Sequence, residues 1–292
     1  MGRRGISIID GEGRETPARV TGKVYRETPP VTGDRAVAVD TGDGPVVERI
    51  LPRSGILQRT SPLGRTTQVI AANVDAVLVI CSLKSPDFSH GFLSRALAAA
   101  EWRRLGAVVV LNKLDLARTK EDELLVDSIM SVYGEEGSGY RVFPISCETG
   151  RGTDELLEHI RGSTVVMTGQ SGAGKTSLAR RFIPSLDMRI GEVNPKTMKG
   201  RHTTVAARLI PLDADTAIID TPGLRMFSIE HIPREELQNC FPEFQEYLGE
   251  CRFRNCLHLT EPGCAVKSAV DRGDVSLMRY GMYRDLMEAE RD

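Results

Sequence analysis

The 292-residue sequence predicts a three-part chain: a central α/β domain on a mostly parallel sheet, a small β-barrel before it, and a mainly helical, metal-binding region after it. Three observations carry this. Apolar, β-prone runs at 74–81, 107–111 and 141–145 alternate with helical patterns such as 91–105, as parallel strands with crossover helices do. Residues 18–26, 35–39 and 45–51 are short alternating runs broken by Gly, Pro and Asp, with no evident helix among them. Three cysteines and a histidine crowd into residues 251–264. The expected boundaries are 1–66, 67–230 and 231–292.

The centre carries its chemistry in order. The run Gly169-Gln170-Ser171-Gly172-Ala173-Gly174-Lys175-Thr176 fits G-x-x-x-x-G-K-[ST], between a strand over 163–168 and a helix from Ser177 onward. Backbone N–H groups of such a loop cradle phosphate oxygens. Lys175 then reaches the β- and γ-phosphates, and the Thr176 hydroxyl ligates magnesium. Upstream, Asn112-Lys113-Leu114-Asp115 ends the strand at 107–111, where ligands of open α/β sheets sit. The Asp115 carboxylate can accept from guanine N1–H and the exocyclic amine together, a donor pair adenine lacks. GTP is therefore the expected nucleotide, with GDP as product.

Three further segments complete the constellation. Ser146-Cys147-Glu148-Thr149-Gly150 follows the run at 140–145, and its backbone could touch the guanine oxygen; the same residues also suit an ordinary helix start. Asp220-Thr221-Pro222-Gly223 follows a strand over 216–219. Asp220 is placed to hold magnesium through water, and the Gly223 N–H to sense the γ-phosphate. Gly200-Arg201-His202-Thr203-Thr204 lies in a Lys/Gly-rich stretch, with Thr204 the favoured magnesium ligand and Thr203 the alternative. Leu224 stands where Ras-type enzymes place the water-orienting glutamine, so His202 is the expected replacement. The catalytic set is thus His202, Lys175 and Thr204.

In chain order the base reader precedes the phosphate loop and both switches, a circular permutation of the usual arrangement. On these motifs the sequence resembles the circularly permuted GTPases, and within them the bacterial branch acting in small ribosomal subunit biogenesis. The resemblance covers almost the whole chain. It implies an N-terminal OB-fold, a C-terminal zinc domain, a small-subunit rRNA partner, and GTP hydrolysis that triggers release. It also supports the histidine at position 202. Gly172 stands where potassium-activated relatives carry asparagine, so no potassium requirement is expected. A nucleotide-binding kinase would need neither Asp115 nor two switches. A GTP-dependent switch acting on another RNA is the alternative function.

Cys251, Cys256, His258 and Cys264 give C-x4-C-x-H-x5-C, a donor set suited to tetrahedral zinc with no position open for water, hence structural. Cys240 is a distant substitute, while Cys81 and Cys147 read as small core residues. The formal net charge of −2 announces no nucleic-acid partner. Residues 1–66 hold 11 Lys+Arg against 8 Asp+Glu, a balance of +3, and 231–292 hold 8 against 12, a balance of −4, so RNA contacts must be local. Arg49, Arg53 and Arg59 are the N-terminal candidates. With no 18-residue apolar run and no signal or myristoylation pattern, a cytoplasmic protein without membrane attachment is expected, and a monomer. A last helix over 274–290 is expected to start at Asp274 and bury Val275, Met278, Met282 and Leu286.

Overall fold

The computed structural model describes residues 6–60, 67–183, 207–220, 229 and 232–289. These fall into two compact units, drawn from 1–76, 159–166 and 187–226 in the first and from 77–158, 167–186 and 227–292 in the second.

In the first unit, strands β1 (Ile6–Ile9), β2 (Glu15–Val20), β3 (Ala36–Asp40) and β4 (Pro45–Ile50) form a sheet in the order β1-β2-β4-β3. β5 (Leu57–Thr60) pairs antiparallel with β6 (Thr67–Ala71). The expectation of strand through 18–26 with no helix is corrected. Thr21 accepts a hydrogen bond from the Val24 amide at 3.3 Å and caps α1 (Gly22–Glu27), whose Val24 drops into a small core with Ala18 and Val47. Arg53 also departs from its expected role. Its guanidinium, 15% exposed, pairs with Asp34 at 2.7 Å and donates to the Pro29 carbonyl at 2.8 Å, so it braces the fold. Arg49 remains exposed on β4, and the Arg59 side chain lies outside the described atoms.

The central sheet runs β11-β12-β10-β7-β8-β9, with β7 (Ala76–Ser82), β8 (Gly106–Asn112), β9 (Arg141–Pro144), β10 (Thr164–Gly169), β11 (Arg208–Pro211) and β12 (Ala217–Asp220). β8–β9 and β10–β12 pair in parallel; β11 is antiparallel to β12. From Val77 to Ser82 every residue of β7 is buried, which is why its sequence is a continuous apolar run rather than an alternating one. Helices α2 (His90–Trp102), α3 (Lys120–Tyr133), α4 (Thr153–His159) and α5 (Lys175–Phe182) connect the strands. Ser89 caps α2, and a Thr119/Asp122 capping box opens α3. Lys84 reaches Asp122 at 2.6 Å and, with the amides of Arg118 and Thr119, holds that carboxyl well below the usual carboxylate range.

The second unit also contains the C-terminal region: two 3-10 turns (Arg234–Cys240 and Pro242–Tyr247), α6 (Ala265–Arg272) and α7 (Leu277–Glu288). The cap of α7 is Ser276 rather than Asp274, because Gly273 (φ +85°) ends α6 and draws the Asp274 amide back to the Ala269 carbonyl. Its buried face is Arg279, Tyr280, Tyr283, Leu286 and Met287, so the expected stripe holds only at Leu286 and the flanking Val275. These residues share one core with Phe241, Phe244 and, from α2, Ala98 and Ala99. At its centre Arg279, 1% exposed, pairs with Glu243 at 2.5 Å, donates to Ser94 Oγ of α2 at 3.2 Å, and lies 4.6 Å from the Phe241 ring centroid. Arg279→Ala should cost about 3–5 kcal/mol in chemical denaturation, because Glu243 is left buried without its counter-charge. Replacing both residues by apolar groups of similar volume should recover most of that loss.

Candidate nucleotide site and metal centre

β8 carries Asn112, 2% exposed, to the carboxyl end of the sheet. There its side chain bonds in two directions: Nδ2 donates to the Ala173 carbonyl of the phosphate loop at 2.9 Å, and Oδ1 accepts from the Cys147 amide at 3.1 Å. Lys113 takes a left-handed conformation (φ +67°), and its ammonium donates to the Ser85 carbonyl. The turn Leu114–Leu116 follows, tied by the Leu114 amide to the Ile145 carbonyl at 3.1 Å. This brings Asp115 beside Ser146, whose hydroxyl donates to Asp115 Oδ1 at 2.5 Å and accepts from the Thr149 amide at 3.2 Å. Only one Asp115 oxygen is engaged among the described residues, so the carboxylate is aimed and still able to accept from a ligand. The Ser146 amide donates to the Arg151 carbonyl at 2.9 Å.

The phosphate loop leaves β10 and enters α5. Gly172 (φ +79°) and Gly174 (φ +105°) occupy conformations that L side chains rarely adopt. At Gly174 a Cβ would also stand 2.1 Å from Asn112 Nδ2, so the glycine is required by the Asn112 contact as well as by the loop's own curvature. Lys175 Nζ donates to the carbonyls of Gly169 and Gln170 at 2.7 and 2.9 Å, which keeps the ammonium folded over the loop. Lys175 opens α5, with Thr176 and Ser177 in its first turn, and Ala173 is buried. Gln170 Oε1 is buried without a partner among the described residues. Asp220 ends β12. His202, Thr203, Thr204, Gly223 and Leu224 lie outside the described residues.

The metal centre is assembled on a loop. Ligand atoms of Cys251, Cys256, His258 and Cys264 all lie within 4.8 Å of one another. Cys251 Sγ is 4.0 Å from Cys264 Sγ, and His258 Nδ1 is 3.5 and 3.3 Å from the sulfurs of Cys251 and Cys264. Bond lengths of about 2.3 Å to sulfur and 2.0–2.1 Å to nitrogen on a tetrahedral zinc set ligand separations of roughly 3.5–3.8 Å, so the donor set fits that ion. Each sulfur also accepts one backbone amide: Ala265 to Cys251 at 3.3 Å, His258 to Cys256 at 3.4 Å, and Lys267 to Cys264 at 3.4 Å. Burial, with the neighbouring Cys251 and Cys264 sulfurs adding to it, pushes the Cys256 thiol up to about 12, a cost that a bound cation would offset by favouring the thiolate. Cys240 is buried in the adjoining core and is not among the clustered donors.

Three supports of this loop escape sequence reading. Gln238 Nε2 donates to the Glu235 carbonyl at 2.7 Å, which turns Gln238 Oε1 toward His258 Nε2 at 2.6 Å. His258 Nε2 must then carry the proton, leaving Nδ1 bare to face the sulfurs. Tyr280 and Tyr283 of α7 donate to the carbonyls of His258 and Leu257 at 2.7 and 2.8 Å, holding His258 at φ +58°. Glu261 accepts from the Leu257 and Leu259 amides at 3.0 and 2.8 Å. None of these contacts has a spacing rule, since each arises between elements remote in sequence or from a loop closing on itself.

Residues 50–230 match the family model described as RsgA GTPase. The chain belongs to the RsgA GTPase family. A Small ribosomal subunit biogenesis GTPase RsgA of Christiangramia forsetii is 32% identical over 96% of this chain and 91% of its own length. The Chromohalobacter salexigens protein of the same name is 39% identical over 88% and 74%. Among solved structures, YjeQ from Thermotoga maritima is 31% identical with a TM-score of 0.78, covering 97% of this chain and 93% of its own. YloQ, a circularly permuted GTPase, is 26% identical with a TM-score of 0.74, covering 97% and 90%. The circularly permuted GTPase fold inferred from motif order is thus shared with a solved structure that covers nearly the whole chain.

Two measurements check the sites. Asp115→Asn should shift preference from GTP toward xanthosine triphosphate in competition binding, because the new amide offers a donor where xanthine presents a carbonyl; unchanged preference would remove Asp115 from the base pocket. Cys256→Ser should lose stoichiometric zinc in metal analysis and loosen the C-terminal region, whereas Gln238→Ala should keep the metal but weaken it about 10- to 100-fold against a competing chelator.

Proposed function

We propose that this chain hydrolyses GTP as a late assembly factor of the small ribosomal subunit, bound to the particle in the GTP state and released on hydrolysis. The observation that supports the nucleotide half is the chain of hydrogen bonds from Asp115 to Ser146, and from the adjoining Cys147 amide through Asn112 to Ala173, which sets a guanine-reading carboxylate and a phosphate loop in one frame. The assembly half is supported by the printed names of the relatives. Lys175 and the amides of residues 170–176 hold the phosphates. Thr176, Asp220 and Thr204 (with Thr203 as alternative) would hold magnesium, which when bound would supply charge neutralisation to the phosphates. The Gly223 amide senses the γ-phosphate, and His202 positions the attacking water.

In this reading residues 1–66 form the rRNA-contacting barrel, 67–230 the GTPase domain and 231–292 the zinc domain. Of the three candidate arginines, Arg49 is exposed, and Arg53 keeps its bracing role. The protein acts as a cytoplasmic monomer, and among the described residues no helix is long and apolar enough to cross a membrane. Small subunits should accelerate turnover, and their binding should weaken steeply with added salt as phosphate contacts release counterions. Equal stimulation by large subunits, or none by either, would contradict the assignment. His202→Ala should leave GTP affinity nearly unchanged yet cut single-turnover hydrolysis on saturating small subunits by roughly a hundredfold or more. A wild-type rate there would give the water-positioning role to another group.

A further inference from the structure

Between two metal ligands the chain turns outward. Arg252, Phe253, Arg254 and Asn255 are all exposed, flanked by Cys251 and Cys256, and Phe253 keeps 42% of its surface open. The segment is fixed at both ends. The Arg252 amide donates to the Gly263 carbonyl at 3.0 Å, the Cys256 amide closes on the Phe253 carbonyl at 3.2 Å, and Arg252 Cβ packs within 3.1 Å of where a Cβ on Gly263 would stand. A benzyl ring held outward on so short and fastened a loop forgoes the burial that ordinarily accounts for phenylalanine. The Arg252 guanidinium carbon lies 5.5 Å from the ring centroid, putting a cation beside an open π-face.

Charge decides what that face suits. Across 251–264 the only acidic residue is Glu261, whose two oxygens are turned inward onto the Leu257 and Leu259 amides. The outward surface of the metal loop is therefore cationic although the region as a whole is acidic, with Glu250 the nearest acidic residue before it. An exposed aromatic ring with a guanidinium against it and a second exposed arginine next in the chain matches a base stacked on the ring with its phosphates on the arginines. A base still paired in an A-form helix cannot offer its face this way. We propose that Phe253 is a stacking platform for an unpaired RNA nucleotide, with Arg252 and Arg254 gripping the adjoining phosphates. The inference rests on the ribosomal reading above and deepens it by naming the RNA feature the metal loop takes.

The test uses the full-length, zinc-loaded protein and a 12-residue uridine oligonucleotide. The chain has a single tryptophan, Trp102, so Phe253→Trp combined with Trp102→Phe puts the only indole at the loop. Saturable quenching by the oligonucleotide, and none by an RNA duplex of equal length, is expected. Phe253→Ala should weaken oligonucleotide binding about 5- to 150-fold without changing its salt dependence, and Phe253→Tyr should retain it. Arg252→Gln and Arg254→Gln should each lower the salt slope by about one. Zinc content equal to wild type keeps a folding defect from imitating the result. Unchanged indole emission, or wild-type affinity for Phe253→Ala, overturns the platform. So does Phe253→Ala weakening small-subunit binding alone, which would put the ring against protein. Stimulation of wild-type GTP turnover by small subunits is measured in parallel: quenching without stimulation would sink the ribosomal reading and leave the platform standing, and stimulation without quenching would do the reverse.

Discussion

The candidate nucleotide site depends on one buried amide. Asn112 sits at the end of a strand whose last five residues are buried, and its side chain joins the phosphate loop on one side to the Ser146–Gly150 turn on the other. The two partners are far apart in sequence, and β8 and β10 are not neighbours in the sheet. A polar side chain buried to 2% without partners would cost about 1–3 kcal/mol, so both bonds are effectively obligatory and the geometry of the site is over-determined. Gly174 is the sequence's concession to this contact, because any side chain there would strike the amide nitrogen.

The second organising feature is the core that the C-terminal region shares with α2. Arg279, Glu243 and Ser94 form a buried, hydrogen-bonded group that replaces bulk water for two full charges. Such a joint contributes specificity of fit more than raw stability, since only one docking geometry satisfies every donor and acceptor. The C-terminal region is thereby fastened to α2 through a buried ion pair rather than through apolar contact alone.

The metal loop shows the same economy at smaller scale. Four donors alone would not choose a tautomer of His258 or hold it at positive φ; Gln238 does the first, and the hydroxyls of Tyr280 and Tyr283 do the second. The Arg252–Asn255 turn, by contrast, lies on the outer surface of the loop.

Much was legible in the chain itself, and the reason is locality. The phosphate loop, Asn112–Asp115 and the Cys3His spacing are short runs whose chemistry is complete within a few residues, and motif order alone disclosed the permutation. The buried strands were visible because a run apolar on both faces has few alternatives. Tertiary structure decided the rest. Sequence could not show that Thr21 would cap a helix inside a β-rich segment, that Gly273 would pass the cap of α7 on to Ser276, or that Arg53 would be drawn to Asp34 instead of facing outward. It likewise could not reveal Gln238, or Arg279 lying buried against Glu243. Each of these outcomes turns on competition between a local preference and a partner brought near only by folding, and the free energy of satisfying a buried polar group exceeds the propensities that sequence reading weighs.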